Sequence, residues 1–388
     1  MLEMSHRQRV ATALNHQEPD FVPLDLGTGG NTSPVSEVYE RLTHLLQIPF
    51  EFKAVPHIMR LANVDESILQ HLDIDTRPIY MHPSQTGLRS CSEADHFYDE
   101  WGVKWREYSL GGVIYREVAE SPLQDATLDD LQRYPWWPDP LDLTRYTGLE
   151  TYAEKMFSQT DFALVGCPAF NSLWERAYFL CGFQRMLEGL LTEPEFVHAV
   201  FRKITDLTKQ SLSIYLARVG KAIQVVKMGD DLGAQNNSLI SPHIYRQTIQ
   251  PYHRELFQYI HTHSSAKVFL HSCGSVYNLL PDLIDTGVDI LNPVQVSAKN
   301  MDSQRLKNDF GDRLSFWGAI DTQHVLPHGS TADVITEVQR RIADLAPGGG
   351  YVLAPVHNLQ ADVPAENIVT MYLNARVFGQ YPLQVAVS

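Results

Sequence analysis

From about residue 150 onward, short β-rich runs alternate along the chain with longer stretches whose apolar residues recur at helical spacing. ERAYFLCGFQRMLEGLL and ADVITEVQRRIADLA have this helical spacing, and ISPHIYRQTIQPYHRELFQYIH begins with Ser241-Pro242, a favourable N-cap followed by a first-turn proline. The β-rich runs occupy residues 162–166, 223–228, 268–270, 288–291, 314–317 and 351–353. Such alternation predicts parallel strands joined by helical crossovers.

The first part of the chain has a different pattern. Its first 20 or so residues predict an amphipathic helix, and residues 21–26 predict a strand that leads into the glycine-rich loop GTGGN. Residues 97–118 alternate aromatic and charged residues around Gly111-Gly112, which is a hairpin signal. We interpret residues 1–388 as a single domain that carries an insertion or cap at approximately 80–145.

Polar side chains follow the predicted strands at the point where each strand ends. In chain order they are Asp230 and Asp231, His271 and Cys273, Asn292 and Gln295, Asp321, and His357 and Asn358. In a (β/α)8 barrel the carboxyl ends of all strands meet at one mouth, where active sites lie. A doubly wound sheet would spread them along an edge, and no GxGxxG follows the first strand. We therefore predict an α/β fold, a (β/α)8 TIM barrel with an N-terminal helical extension.

Charge and composition exclude some partners and compartments. A formal charge of -15 argues against nucleic acid or an anionic membrane surface as a partner. No apolar run approaches the ~20 residues of a membrane span, and the first residues lack the apolar core of a signal peptide. The 4 cysteines are widely scattered and form no disulfide framework, which favours a reducing cytoplasm. The sequence does not indicate an oligomeric state.

Thiolate, imidazole and carboxylate groups at one barrel mouth form a zinc-type ligand set. His271-x-Cys273 suits a bend at a strand end, and His357 supplies another ligand after the last strand. Each residue also has an ordinary structural interpretation, as a core thiol, a core histidine or a helix-capping aspartate. A zinc ion there could activate a substrate thiol or a water molecule, and the residues alone do not separate these uses.

Four segments carry a family resemblance. They are RQRVATALNHQEPDFVPLDLG, GDDLGAQNNSLISPHIYRQTIQPYHRELFQYI, VFLHSCGSVYNLLPDLIDTGVDILNPVQ and GGGYVLAPVHNLQADVPAENI. With them the chain resembles the uroporphyrinogen decarboxylase superfamily over nearly its full length. In particular it resembles the corrinoid-dependent, zinc-containing methyltransferases, including the methylcobalamin:coenzyme M type.

The resemblance implies a (β/α)8 barrel in which a His-x-Cys pair and a later cysteine bind zinc with a carboxylate assisting. His271 and Cys273 match the pair, but APVHN stands where the later cysteine falls, near Val356 or His357. We take His357 as its replacement and Asp230 or Asp231 as the carboxylate. The resemblance also implies that the protein uses a corrinoid, either free methylcobalamin or the group of a separate corrinoid protein. It further implies a small-molecule methyl donor or acceptor.

The leading hypothesis is a methyltransferase that moves a methyl group between a corrinoid and a thiol or other acceptor held at zinc. His271, Cys273 and His357 would bind the metal, and Asp230 or Asp231 would complete its shell or act as general base. Four further residues would line the pocket and orient the substrate: Asn292, Gln295, Asp321 and Asn358.

Three alternatives remain open. One is a metal-free decarboxylase of the uroporphyrinogen type, although FVPLDLGTGGN has no arginine to hold the carboxylates of a tetrapyrrole. The others are a corrinoid- or metal-binding protein without turnover and a metal-assisted hydrolase. How the fourth zinc position is filled would discriminate catalytic from structural roles.

Overall fold

The computed structural model describes residues 3–55, 61–84, 87–93, 95–110 and 113–383. Its main feature is a 7-stranded parallel sheet in the order β1-β6-β7-β8-β9-β10-β11, beside a second sheet of 4 antiparallel strands. The strands are Thr76–Tyr80 (β1), Arg89–Ser90 (β2), His96–Tyr98 (β3), Lys104–Leu110 (β4), Val113–Glu120 (β5), Ala163–Cys167 (β6), Val225–Gly229 (β7), Lys267–His271 (β8), Ile290–Asn292 (β9), Ser315–Ile320 (β10) and Tyr351–Pro355 (β11).

The segment 21–26 closes this sheet into a barrel. Leu24 forms a parallel bridge with Leu353 of β11, and the Asp75 amide next to β1 donates to the Leu24 carbonyl over 3.0 Å. The segment therefore lies between the first and last strands of the sheet and completes an eight-membered ring. The predicted (β/α)8 barrel is confirmed.

Side chains from alternate strand positions fill the barrel interior. The buried cluster is mainly β-branched and aromatic and consists of Val10, Leu14, Ala163, Val165, Cys167, Val225, Phe269, Ile290, Trp317, Val352 and Ala354. Since one face of each strand points inward, residues two apart in a strand share the interior. The outward faces pack against the helices in a larger cluster.

Helices connect the strands on the outside of the barrel. They are His6–Leu14 (α1), Ser36–Leu45 (α2), Glu66–His71 (α3), Leu128–Arg133 (α4), Leu149–Gln159 (α5), Trp174–Cys181 (α6), Phe183–Thr192 (α7), Pro194–Val219 (α8), Pro242–Thr248 (α9), Gln250–His263 (α10), Leu280–Thr286 (α11), Ser303–Phe310 (α12), Val325–His328 (α13), Thr331–Leu345 (α14) and Ala365–Phe378 (α15). Among the described residues, none of these helices has the length and apolar character of a membrane span.

Helix α1 covers the amino-terminal end of the barrel. Val10 and Leu14 insert into the interior cluster, and the Gly350 amide just before β11 donates to the Ala13 carbonyl over 2.7 Å. Ser5 forms the capping box that starts the helix. The opposite end of the barrel therefore remains as the accessible mouth.

The antiparallel sheet of β2–β5 lies in the chain between β1 and β6, within the range interpreted as an insertion. Strands β4 and β5 pair from Lys104 to Leu110 as the predicted hairpin requires. The turn assigned to Gly111-Gly112 lies outside the described residues. We continue to propose that approximately 80–145 is an insertion in a single domain.

Three details differ from the sequence prediction. β1 was not predicted, and the stretch around Cys181 forms two helices because Gly182 at φ 87° interrupts it. The stretch after Ser241 also divides, into α9 and α10 around Ile249. The N-cap prediction is confirmed, since Ser241 Oγ accepts from the Ile244 amide at 3.3 Å.

Candidate metal centre

The metal-site prediction falls on the mouth of the barrel. β8 ends at His271, and the following turn bends sharply at Gly274, which has φ +83°. A Cβ on Gly274 would lie 2.6 Å from the Gly233 backbone, so only glycine allows the two loops to approach so closely. Cys273 lies just before this bend, with its Sγ 3.3 Å from His271 Nε2.

His271 is held in one orientation by Asn292 at the end of β9. His271 Nδ1 lies 2.5 Å from Asn292 Oδ1, while Asn292 Nδ2 donates to the Trp317 carbonyl over 2.9 Å. The carbonyl fixes the Asn292 amide with its oxygen towards the histidine, so Nδ1 carries the hydrogen. The lone pair of His271 Nε2 therefore faces the pocket, 3.3 Å from Cys273 Sγ.

His357 completes a cluster of three donors. It follows β11, and one ligand atom from each of His271, Cys273 and His357 lies within 4.8 Å of the others. Ligand atoms of a tetrahedral zinc ion are roughly 3.3–3.6 Å apart, which the Cys273–His271 distance of 3.3 Å matches. Among the described residues His357 makes no hydrogen bond. Two imidazoles and one thiol grouped within 4.8 Å are a donor set of the kind that zinc binds.

Burial sets the protonation states of these groups. It lowers the pKa of His271 to about 3 and that of His357 to about 4, with the charge of Lys227 contributing to both. Burial, followed by Asp231 and Glu175, raises the pKa of the Cys273 thiol. Without a cation the cluster thus holds neutral imidazoles and a protonated thiol, and binding of a metal would release the thiol proton.

The two adjacent aspartates lie in different environments. Asp231 Oδ1 accepts from the Cys273 amide at 2.8 Å and lies 4.0 Å from His271 Nε2, with 35% of its side chain exposed. Asp230 is only 2% exposed and binds the amides of Leu173 and Glu175 at the start of α6 and His253 Nε2 at 2.7 Å. Of the two carboxylates, that of Asp231 therefore lies beside the candidate metal ligands, whereas Asp230 reaches His271 through its backbone amide, which donates to the His271 carbonyl over 2.8 Å.

The four residues predicted to orient substrate all make contacts within the protein. Asn292 positions His271, and Gln295 Oε1 accepts from the Gly274 amide at 2.8 Å. Asp321 Oδ1 accepts from the Gln323 amide at 2.6 Å, in the turn after β10. Asn358 Nδ2 donates to the Gly30 carbonyl in the glycine-rich loop. Asn292 and Gln295 thus shape the cluster directly, and Asn358 shapes the loop beside it.

Two ionisable residues near the cluster were not predicted. Glu175 lies in the first turn of α6, and burial next to Asp231 and Asp230 raises its pKa to about 8. Lys227 lies inside β7 and is buried beneath the mouth. A lysine within the apolar run IQVVKM was a signal for an inward-facing charge, whereas nothing marked Glu175 within a helical stretch.

Comparison with known proteins identifies the family of this chain. The family model described as uroporphyrinogen decarboxylase (URO-D) matches residues 163–376, just over half of the 388 residues. The chain belongs to the uroporphyrinogen decarboxylase family. The matched part of this family member includes β6–β11 and every residue of the candidate metal centre.

Two similar proteins are named as methyltransferases. A methylated-thiol–coenzyme M methyltransferase of Methanosarcina mazei is 25% identical over 236 residues, covering 59% of this chain and 60% of the relative. The methylcobamide:CoM methyltransferase MtaA of Methanosarcina barkeri is 30% identical over 176 residues, covering 42% of this chain and 50% of the relative. Each match thus spans less than two thirds of the relative's length.

One solved structure resembles the whole chain. A methyltransferase from Methanosarcina mazei superposes with a TM-score of 0.66 at 18% sequence identity, covering 97% of this chain and 99% of the other. At this identity the likeness establishes the shared fold, and it extends beyond the barrel strands to the N-terminal region.

Proposed function

We propose that this protein transfers a methyl group between a corrinoid and a thiol or other acceptor bound at a zinc ion. The corrinoid is free methylcobalamin or the group of a separate corrinoid protein. His271, Cys273 and His357 are the proposed ligands. A cytoplasmic location accompanies this proposal, because all 4 cysteines are free thiols.

The observation that carries the proposal is the convergence of these three side chains within 4.8 Å at the barrel mouth. They come from the ends of two different strands, β8 and β11. The Asn292 contact directs the lone pair of His271 to the same point. A histidine that merely fills a core has no need of a second histidine and a thiol at such a distance.

The residues around the cluster suit methyl transfer to a thiol. Bound zinc lowers the pKa of a thiol that coordinates it, so that a nucleophilic thiolate exists at neutral pH. Asp231 is the proposed acceptor of the thiol proton, since its carboxylate is partly exposed beside Cys273. With methylcobalamin as the methyl donor, its carbon–cobalt bond would break as the carbon–sulfur bond forms, and the electron pair would stay on cobalt.

His357 in place of a cysteine changes the charge of the proposed centre. One thiolate and two neutral imidazoles leave the zinc site one unit more positive than two thiolates and one imidazole would. A more positive site favours deprotonation of a bound thiol but reduces the nucleophilicity of the thiolate. We infer that this protein uses a less acidic acceptor thiol, or a more reactive methyl donor, than a site with two cysteines requires.

The alternatives are less well supported. A decarboxylase for a tetrapyrrole with many carboxylates needs cationic partners in the first loop, and the loop GTGGN has none. The named relatives are methyltransferases, which also favours methyl transfer over hydrolysis or binding without turnover.

The direct experiment is a methyl-transfer assay with zinc-loaded protein, methylcobalamin and a panel of small thiols. The absorbance change as methylcobalamin loses its methyl group gives the rate. We expect transfer by the wild type and a loss of at least ~100-fold in Cys273→Ala, since the nucleophile would no longer be activated. Cys91→Ala is the matched control, because Cys91 is a free thiol of the β2–β3 connection outside the cluster.

The outcome against the proposal is equally clear. Thiol methylation that proceeds at the same rate in wild type, Cys273→Ala and metal-free protein would show that the cluster has no part in the reaction. Decarboxylation of uroporphyrinogen by the metal-free protein would favour the alternative instead.

A further inference from the structure

A cavity of about 280 Å³ lies between the antiparallel sheet, the segment YPWWPDP (134–140) and the loop after β1. It shares no residue with the candidate metal centre. We call it the rim cavity and define it by five of its lining residues, Arg89, Glu100, Trp136, Asp139 and Arg145. Its volume is close to the lower end of the ~300–1,000 Å³ found for small-molecule sites, so it suits a small ligand.

Arg145 forms the buried wall of the rim cavity and has one donor unsatisfied. Its side chain is only 1% exposed, its carbonyl accepts from the His82 amide after β1, and Nη1 and Nη2 donate to the carboxylate oxygens of Glu100. Nε is buried and has no hydrogen-bond partner among the described residues. The edge that Nε shares with Nη2 is one that a carboxylate binds through two parallel hydrogen bonds. The unpaired donor therefore indicates an acceptor that the described residues do not supply.

A second guanidinium lines the rim cavity from β2. Arg89 Cζ lies 3.9 Å from the centre of the Trp136 ring, a cation–π contact that holds the guanidinium beside the cavity. Within the described parts of the chain Arg89 forms no hydrogen bond and no ion pair, so its N–H donors are available. Arg89 is exposed, whereas Arg145 is buried. An oxyanion that enters the cavity therefore meets one open and one buried guanidinium.

The carboxylates around the rim cavity differ in how far their oxygens are engaged. Glu100 is paired with Arg145, and Asp142 caps the short helical turn that follows it. Asp139 is exposed, and its Oδ1 accepts from the Leu141 amide at 2.8 Å. Its Oδ2 has no hydrogen-bond partner in the part of the chain that the structure describes. Asp139 therefore offers a free acceptor to a cation at the exposed side of the cavity.

Rings and prolines form much of the remaining wall. They are the four consecutive residues Pro135, Trp136, Trp137 and Pro138. An apolar wall with a few fixed polar groups is typical of small-molecule sites. The charged lining consists of two arginines and three carboxylates, so a simple anion would add to an excess of negative charge. A ligand with both a carboxylate and an ammonium group adds no net charge and matches the free donors as well as the free acceptor.

We propose that the rim cavity binds a small zwitterion, an amino acid with an apolar side chain. The ligand carboxylate accepts from Arg145 and Arg89, and the ligand ammonium group donates to Asp139. Its side chain packs against Trp136 and Trp137. Hydrogen bonds between charged groups are about twice as strong as neutral ones, which lets a small molecule bind through few contacts. The site does not depend on the proposed methyl transfer, because none of its residues belongs to the candidate metal centre.

The test is calorimetric titration of the wild type with L-leucine, L-valine, L-methionine and L-phenylalanine. The amino acid that binds best is compared with the acid that lacks its amino group and the amine that lacks its carboxylate. For leucine these are 4-methylpentanoate and 3-methylbutylamine. We expect each to bind at least ~10-fold more weakly, because each lacks one charged contact. Equal affinity for either analogue, or no binding of any of the four amino acids, would overturn the proposal without the need for a variant.

Arg89→Met and Asp139→Asn each remove one contact to the ligand without breaking an ion pair within the protein. We expect the selected amino acid to bind each variant on the order of 10- to 100-fold more weakly. Arg145→Lys keeps the buried charge but loses the Nε donor, and it should show the same loss. The matched controls are Arg133→Met and Asp129→Asn, which remove the two members of an exposed pair on α4 and should bind like the wild type. Full affinity in either Arg89→Met or Asp139→Asn would contradict the assigned contacts.

Chelation of zinc by the amino acid is separated by repeating the titration on Cys273→Ala and on wild type treated with a chelator. We expect the affinity to be unchanged in both, since the rim cavity contains no proposed metal ligand. Binding that disappears with the metal would place the amino acid at the metal centre and overturn the proposal. Because a protein without methyl transfer can still bind the amino acid, this proposal and the proposed function can fail separately.

Discussion

Asn292 Oδ1 lies 2.5 Å from His271 Nδ1, and this contact determines which nitrogen of the imidazole faces the barrel mouth. The orientation of the Asn292 amide is itself fixed by the Trp317 carbonyl at 2.9 Å from Nδ2. A polar group of β10 thus positions a side chain of β9, which positions a proposed metal ligand of β8. Such outer contacts strengthen a histidine ligand by fixing its tautomer and its angle.

Removal of the Asn292 side chain should weaken metal binding without removing a ligand. Asn292→Ala frees the His271 ring to rotate and to change tautomer. We expect zinc affinity, measured by competition with a chromophoric chelator, to fall about 10- to 100-fold. Asn374→Ala, which removes an amide from α15 far along the chain, is the control. An unchanged affinity in Asn292→Ala would show that the contact does not support a metal ligand.

The two adjacent aspartates should separate into a structural and a functional residue. Asp230→Asn places an NH2 donor opposite the amides of α6 and replaces the carboxylate that His253 Nε2 contacts, so we expect the free energy of unfolding in urea to fall by about 1–3 kcal/mol. Asp231→Asn keeps an oxygen for the Cys273 amide, and its free energy of unfolding should change by no more than ~1 kcal/mol.

Methyl transfer should show the opposite order for this pair. We expect Asp231→Asn to lose on the order of 100-fold in rate at full zinc occupancy, because its carboxylate no longer accepts a proton. A stable Asp230→Asn protein together with a fully active Asp231→Asn protein would contradict the assignment of Asp230 as the structural residue and Asp231 as the functional one.

Arg9 should stabilise the covered end of the barrel in a pH-dependent manner. Its guanidinium pairs with Asp20 at 2.8 Å and with Asp75 at 2.6 Å. Burial alone would raise the pKa of both carboxyls, but hydrogen bonds and the charge of Arg9 hold them below the usual value, with His6 and Arg376 adding to the effect at Asp75. These carboxylates therefore stabilise the fold above their unfolded pKa of about 3.9, and the contribution is lost as the pH falls.

Arg9→Met leaves the buried Asp20 without its cation and Asp75 with Arg376 and His6 alone, and should cost about 3–5 kcal/mol at pH 7, as urea unfolding would measure. The difference from wild type should shrink as the pH falls below ~4, where the carboxyls gain protons in the unfolded chain. Arg133→Met is the control, since its pair with Asp129 is exposed and contributes ~0–1 kcal/mol. An Arg9→Met cost that is independent of pH would contradict this account.

Gly29 and Gly148 offer a matched pair for the contact of the loop with Lys227. Both glycines have positive φ, +63° and +72°, but only Gly29 has a close neighbour, since nothing lies within 4 Å of a Cβ at Gly148. Gly148→Ala should cost ~1 kcal/mol for its backbone conformation alone. Gly29→Ala should cost a further ~1–3 kcal/mol because the methyl group collides with Lys227. Equal costs in urea unfolding would mean that loop and lysine do not pack together.

The barrel strands from β6 onward could be predicted because each is a buried apolar run bounded by helical spacing. β1 was missed because TRPIY contains an arginine and a proline. Arg77 lies on the outer face, where Glu66 and the carbonyls of Ile74 and Thr76 satisfy its guanidinium, so a charged residue occupies a buried strand without cost to the core. Such compensation arises from tertiary contacts and leaves no periodic signal.

The candidate ligands could be predicted because His-x-Cys and a histidine each follow a strand, and strand ends meet in a barrel. Which aspartate faces these ligands could not be predicted, because the direction of the turn after β7 alone decides between Asp230 and Asp231. Glu175 joins them through the position of α6, which depends on how the loop after β6 folds. Sequence spacing carries no information on that loop.

The most direct test of the proposed metal centre is the zinc content of purified wild type, Cys273→Ala and His357→Cys. We predict about one zinc ion per chain in the wild type, none in Cys273→Ala, and full retention in His357→Cys, where a second thiolate replaces an imidazole. A wild type without zinc, in a preparation where His357→Cys acquires it, would contradict the account. His357 would then mark a family member that has lost the metal, and its chemistry would depend on Asp231, Glu175 and His271 alone.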